Sequence, residues 1–246
     1  MEAYSRTGVS PVTALTDVSQ AFNRVNLKLY MRKLFGFGLP RQLIELVIEL
    51  ISGMRVKLCW GKVQTDLLDR GDVGAPQGSL EGMWNFGVYA DNIHNLIRKY
   101  VKGIGVGGEW VREIVYADDI TPINPTSIET NLALKAVFEG GAYDAFKFKA
   151  RKCRIIGAKE SDPTIFYVGN DQIKRVQTGI MLGAVINNKG IDMLAHVSRR
   201  AEMVGTVIRQ LKSWRTKGLP YDIVSKHLFK ARVVPRFSYA FSLFPT

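Results

Sequence analysis

The chain has 246 residues, 46% of them hydrophobic, and its 34 Lys and Arg against 22 Asp and Glu give a net charge of +12 and a pI near 9.7. That composition excludes a disordered tail and is enough for a buried core in one large domain or two small ones. No apolar run approaches membrane-spanning length, no signal-peptide hydrophobic region is present, and the two cysteines, Cys59 and Cys153, make neither a disulfide framework nor metal-ligand spacing.

In chain order, Val12 to Val18 (VTALTDV) is a β-prone run that puts Asp17 at or near a strand end. Asn26 reads as the N-cap of a helix over 27–35, with Leu27, Tyr30, Met31 and Leu34 on one face. Pro40 opens a second helix whose expected face is Leu43, Val47, Leu50 and Met54. Two short strands flank Gly61-Lys62 as a hairpin. The loop Gly71 to Gly78 (GDVGAPQG) leads into one long expected helix over 79–101, striped by Met83, Phe86, Ala90, Ile93, Ile97 and Val101.

Val111 to Ile123 (VREIVYADDITPI) reads as a hairpin with Asp118 and Asp119 at its tip. Thr126 with Glu129 is a capping-box pattern for a helix through about 146, weakened in its middle by Gly140-Gly141. Residues 154–157, 164–168 and 177–186 read as strands. Beyond residue 190 the chain turns helical and basic. From Ile191 onward ten basic and three acidic residues supply +7 of the +12. A second basic knot is Lys147, Lys149, Arg151, Lys152 and Arg154. Such an excess points first to nucleic acid, although a ribosome-like assembly, an acidic membrane surface or plain solvated helix faces fit the same count.

Two adjacent carboxylates at a rigid tip repel each other unless a cation lies between them, and a hard divalent ion is the usual partner. A solvated Asp-Asp turn is the alternative. If the strand ending at Asp17 neighbours the hairpin in one antiparallel sheet, the three acids meet. Converging carboxylates hold a metal pair for phosphoryl chemistry.

Six segments then resemble the reverse transcriptase family, of the non-LTR retrotransposon and group II intron type. They are Asp17 to Asn26 (DVSQAFNRVN), Gly74 to Ser79 (GAPQGS), Tyr116-Ala-Asp-Asp119, Lys152 to Ile156 (KCRII), Met181-Leu-Gly183, and Leu228 to Phe244 (LFKARVVPRFSYAFSLF). The resemblance implies an α+β right-hand polymerase. Its palm, an antiparallel sheet with helices on one face, would occupy 1–189 with part of the fingers. A basic, helical thumb-like region would occupy 190–246.

It further implies that Asp17, Asp118 and Asp119 ligate two Mg²⁺ ions, with Mn²⁺ as a substitute. Phe22 would stand as the steric gate against a ribose 2′-OH. Gln77 and Gly78 would line the incoming nucleotide and template, and Tyr116 would pack under the catalytic turn. Lys152 would donate a proton to the leaving pyrophosphate, with a phosphate contact or a solvated lysine as the alternatives. Leu182 and Gly183 fall in the primer grip. Arg199, Arg200, Arg209, Lys212 and Arg215 would track the template–primer backbone, making binding salt-sensitive and largely blind to sequence.

Only sixteen residues precede Asp17, so the expectation is that fingers come from another chain. The pattern departs from the family at Asn23, Gly82-Met83, Gly87, Lys149 and Pro122, none of them an expected metal ligand. Two functions follow. One is RNA-directed DNA synthesis. The other is a catalytically silent relative retained as an RNA-binding component of a ribonucleoprotein, such as an organellar ribosome. The expected partners are RNA template and primer, or structural RNA, with no membrane. The two cysteines suit a reducing compartment, and the sequence does not choose among intracellular ones, nucleus and mitochondrion included.

Overall fold

The structure, a computed structural model, describes residues 10–69, 74, 80–218, 220 and 222–239. It divides into two compact units, Glu2–Val176 and Gln177–Thr246. The division falls before the change in composition near residue 190, because the strands that follow Gln177 pack against the basic helix after them.

The first unit is an α+β fold. Strand β1 (Val12–Leu15) is followed by a 3-10 turn at Phe22–Arg24, then helices α1 (Leu27–Gly36) and α2 (Arg41–Ser52). A small lobe pairs β2 (Arg55–Val56) with β5 (Leu68–Asp69) and β3 (Cys59–Trp60) with β4 (Val63–Gln64). Helices α3 (Leu80–Tyr89) and α4 (Asp91–Tyr100) lead to the hairpin β6 (Ile104–Val106) and β7 (Glu109–Val111). Then come β8 (Glu113–Tyr116), β9 (Asp119–Asn124), α5 (Ser127–Tyr143), β10 (Arg154–Ile156), β11 (Phe166–Val168) and β12 (Asp171–Arg175).

The main sheet has the order β11-β12-β10-β1-β9-β8, antiparallel except for the β10–β12 pair. Strand β1 lies near its middle. Val12, Thr13 and Ala14 are all buried, and the small, β-branched VTAL sequence suits a strand with both faces covered. Helix α5 packs against β1, β9 and β11, and α4 packs on α5. Asn26 caps α1 by accepting from Leu29 N–H at 3.1 Å, and Thr126 caps α5 by accepting from Glu129 N–H at 3.2 Å.

Gly140 explains why a glycine interrupts an otherwise good helix. A Cβ there would stand 2.8 Å from Ile93 Cα, so the glycine lets the backbones of α4 and α5 approach closely. Gly140→Ala is expected to destabilise by about 1–3 kcal/mol through overpacking, although alanine is the better helix former by about 1 kcal/mol. Urea denaturation checks this, and a raised midpoint would contradict it.

Two sequence expectations change. On α2 the buried residues are Ile44 and Ile51; of the expected face Val47 is partly buried against the core, while Leu43 and Leu50, and Met54 just beyond the helix, are exposed. The sequence RQLIELVIELIS carries two adjoining apolar stripes, so periodicity alone does not choose between them. The single helix expected over 79–101 is two helices broken at Ala90, where φ is −84° and ψ 0°. The ammonium of Lys33 bonds the carbonyl of Tyr89 at the break. Of the expected stripe, Phe86, Ala90, Ile93, Ile97 and Val101 are all buried, and the Met83 side chain lies outside the described set.

The second unit begins with β13 (Thr178–Met181), β14 (Ala184–Asn187) and β15 (Gly190–Ile191), an antiparallel three-stranded sheet. Helix α6 (Met193–Thr216), a π-helix at Ile223–Val233 and α7 (Val234–Ser238) follow. Trp214 packs on a small cluster of Val207, Leu211 and Val233, with the Arg232 guanidinium over its ring at 5.5 Å. That gives Trp214 a place at the edge of the unit's core. No described helix is long and apolar enough to cross a membrane.

Candidate active site

The site is built where β1 ends. Thr16 Oγ1 donates to Ile120 O at 2.6 Å in the interior, fastening the residue before Asp17 to the residue after Asp119. In β1–β9, Val12 opposes Asn124 and Thr13 opposes Ile123; the same register continued sets Asp17 opposite Asp119. On the other flank, Val18 bridges Phe148, Ser19 N–H donates to Lys147 O at 2.7 Å, and Lys149 N–H donates to Asp17 O at 3.2 Å. The backbone at Asp17 is therefore held from both sides.

The second pair of acids comes from the β8–β9 hairpin. Tyr116 pairs with Asp119, leaving Ala117 and Asp118 as a two-residue turn. Ala117 has a φ of 52°, a left-handed conformation that glycine adopts more cheaply. Strain of this kind persists only where the surroundings enforce it, here by the strand pairing on either side.

Asp17 and Asp118 line one cleft of about 240 Å³ with Gln20, Phe22, Asn23, Lys149 and Lys152. Lys152 Nζ lies 3.3 Å from Asp17 Oδ1. Burial holds the Asp119 carboxyl above its usual range, and the charges of Asp118 and then Asp17 push it further the same way. Asp119 thus sits in the fields of both other acids. Among the described residues no three acidic, histidine or cysteine side chains close on one point as a ready-made metal cage. The donors are hard carboxylate oxygens with repulsion that a divalent cation would relieve. That fits Mg²⁺ or Mn²⁺ bound through two or three carboxylates, with water and phosphate oxygens completing the shell. Asp17, Asp118 and Asp119 would hold it.

A pH dependence follows. The folded, metal-free chain holds the Asp119 proton more tightly than the unfolded chain does. The stability this contributes is fully present below the unfolded carboxylate range, and it is lost as pH rises through the raised folded value. In a chelator, parent and Asp119→Asn are expected to diverge over that window, the parent losing stability that the variant keeps. Identical pH slopes in denaturation would contradict this.

Phe22 is buried at 7% exposure, stacks on Phe86 at 5.0 Å between centroids, and lines the cleft. It is a core aromatic and a cleft wall at once. Tyr116 does not pack under the turn as expected: it is 60% exposed, because its strand position faces solvent. Gln77 and Gly78 lie outside the described residues. The nearby Gly74 donates its N–H to Val25 O at 2.7 Å.

Leu182 and Gly183 form the β13–β14 turn, with φ of 47° and 79°. Arg200 departs from the expected phosphate contact. It is buried, donates to Gly183 O at 2.8 Å, and lies 4.4 Å from the Tyr239 ring, so it braces the second unit's own fold. Arg199 reaches the same carbonyl at 3.3 Å. Arg209 and Lys212 are exposed on α6; the side chain of Arg215 lies outside the described set.

Sequence reasoning missed Gln20 and Lys149 as cleft residues. Gln20 has a φ of 54°, a backbone state with no sequence signal for that residue type. Lys149 was visible as one member of a basic knot and as a departure from the family pattern, neither of which places it in the cleft.

The family described as Reverse transcriptase (RNA-dependent DNA polymerase) matches residues 2–197. No curated protein matches the chain. Among solved structures, the chain is similar to apo telomerase from Candida tropicalis truncated from the C-terminal domain, with a TM-score of 0.51 and 11% identity. That match covers 78% of this chain and 37% of the telomerase chain, so this protein spans well under half of that relative's length. At such identity the likeness is one of fold, and it agrees with a mixed palm-and-thumb architecture. With four-fifths of its length matched and the acids of its strand end and hairpin facing one another, the chain belongs to the reverse transcriptase family.

Proposed function

We propose that this chain carries out template-directed transfer of deoxynucleotides to a primer 3′-OH on RNA. The observation that carries the reading is the convergence of Asp17 and Asp118 on one cleft from segments far apart in the chain, with Asp119 opposite Asp17 in the continued β1–β9 register. The primer 3′-OH would give up its proton to solvent as its oxygen bonds to the α-phosphorus and the bond to the bridging oxygen breaks, releasing pyrophosphate.

Divalent ions in such a site make the attacking hydroxyl more acidic and stabilise the leaving oxygen. Asp17 and Asp118 present carboxylates to the cleft, and Asp119 adds a third charge beside them. The ring of Phe22, backed by Phe86, forms a wall that cannot easily retreat, which suits discrimination against a 2′-OH. Lys152, already 3.3 Å from Asp17, is placed to give a proton to pyrophosphate or to hold a phosphate. The exposed Arg209 and Lys212 suit contacts to a nucleic-acid backbone. Tyr116-Ala-Asp-Asp119 supports the non-LTR and group II branch of the family, hence a retrotransposon-type origin.

Primer extension on an RNA template with Mg²⁺ or Mn²⁺ tests the reading. Extension by the parent but not by Asp118→Asn supports it. No extension by either, with equal RNA binding, would replace it by the structural role in a ribonucleoprotein.

A further inference from the structure

The cleft beside Asp17 contains two lysines in different circumstances. Lys152 is ion-paired with Asp17 Oδ1 at 3.3 Å. Lys149 lines the same cleft and has no ion-pair partner among the described residues. Its backbone is fixed on both sides. The Lys149 N–H donates to Asp17 O at 3.2 Å, and its carbonyl accepts from Lys152 N–H at 2.8 Å and Cys153 N–H at 3.2 Å.

This geometry follows from the strand pairing. Strand β10 opposes β1 in one register (Leu15 with Arg154), whereas Val18 bridges Phe148 in another. The extra residues between the two registers loop out as a turn, and Lys149 and Lys152 stand at its two ends. Lys149 is thus anchored across from Asp17, with only its side-chain stem to move. A lysine whose backbone is pinned beside Asp17 and whose exposed side chain makes no ion pair among the described residues leaves its ammonium available to an anion that also reaches a metal on the acids. A polyphosphate has that charge distribution, and an ammonium binds one as a point charge without orientational demands.

Resting on the polymerase reading above, we infer that Lys149 binds the terminal phosphates of the incoming nucleoside triphosphate. Lys152 stays by Asp17 and the reacting end. Lys149 therefore sets affinity for the triphosphate, not for the template–primer duplex.

The test uses the full chain bound to an RNA template with a 3′-dideoxy-terminated primer and Mg²⁺, so that no turnover occurs. Binding of the next complementary deoxynucleoside triphosphate is compared with binding of its monophosphate and of the duplex itself. For Lys149→Met the expected result is about tenfold weaker triphosphate binding, with monophosphate and duplex binding changed less than about twofold. Lys149→Arg keeps the triphosphate affinity, and matched thermal melts confirm that both variants fold. Unchanged triphosphate binding in folded Lys149→Met overturns the assignment while leaving the polymerase reading intact. So does a loss confined to duplex binding, which would make Lys149 a nucleic-acid backbone contact. If the parent itself binds duplex but no triphosphate, the polymerase reading fails and the assignment falls with it.

Discussion

Replacing Lys33 by methionine is expected to destabilise the first unit by about 3–5 kcal/mol, the cost of leaving a buried charge without its partner. Lys33 Nζ lies 2.5 Å from Asp144 Oδ1, with the lysine side chain 10% exposed and the aspartate fully buried. The pair is the centre of a polar knot joining four helices. Asn92 Nδ2 donates to Asp144 Oδ1 at 3.2 Å, Tyr89 Oη to Asp144 O at 2.8 Å, and Asn26 N–H to Tyr89 Oη at 3.2 Å. Burial drives both charges toward neutrality, lowering Lys33 and raising Asp144, and each partner's presence offsets the shift of the other. Without the ammonium, Asp144 keeps only Asn92 and takes up a proton or unfolds. The double variant Lys33→Met, Asp144→Leu is expected to recover most of the loss, since two apolar groups need no partners. Denaturant midpoints at neutral pH check both statements. A single variant within about 1 kcal/mol of the parent would show that solvent reaches the knot.

For catalysis, Asp17→Asn and Asp118→Asn are each expected to slow primer extension about a thousandfold or more. This corresponds to several kcal/mol of transition-state stabilisation, at about 1.4 kcal/mol per tenfold. Amide side chains keep the shape and remove the charge. Because both acids serve one cleft, the double variant is expected to be little slower than either single one, as happens when residues act as a unit. Multiplying losses in a duplex-saturated assay would indicate two independent sites. Unchanged rates would remove the carboxylates from the chemistry.

Much of this was legible in the sequence because local chemistry and tertiary need agree there. Asn26 caps the helix it precedes, Leu27, Tyr30 and Leu34 face inward, and the apolar run around Asp118 and Asp119 can only be a hairpin. The motif residues could be named from resemblance, whereas the meeting of Asp17 with the hairpin needed the β1–β9 register. What escaped has physical reasons. Helix α2 offered two apolar stripes, and only its neighbours select Ile44 and Ile51. The break at Ala90 depends on an ammonium from another helix. Arg200 looked like a phosphate contact because charge counts do not reveal burial, and its partners, the Gly183 carbonyl and the Tyr239 ring, are distant in sequence. Phe22 could be read as core or as gate, and the fold makes it wall the cleft from within the core.

Manganese binding, followed by the loss of the free-ion electron paramagnetic resonance signal, examines the shared cleft without requiring turnover. The parent is expected to bind Mn²⁺, and Asp17→Asn and Asp118→Asn are each expected to weaken that binding, with all three proteins equally folded. Binding by Asp17→Asn indistinguishable from the parent, alongside its loss in Asp118→Asn, would show that the strand end and the hairpin do not serve one metal site.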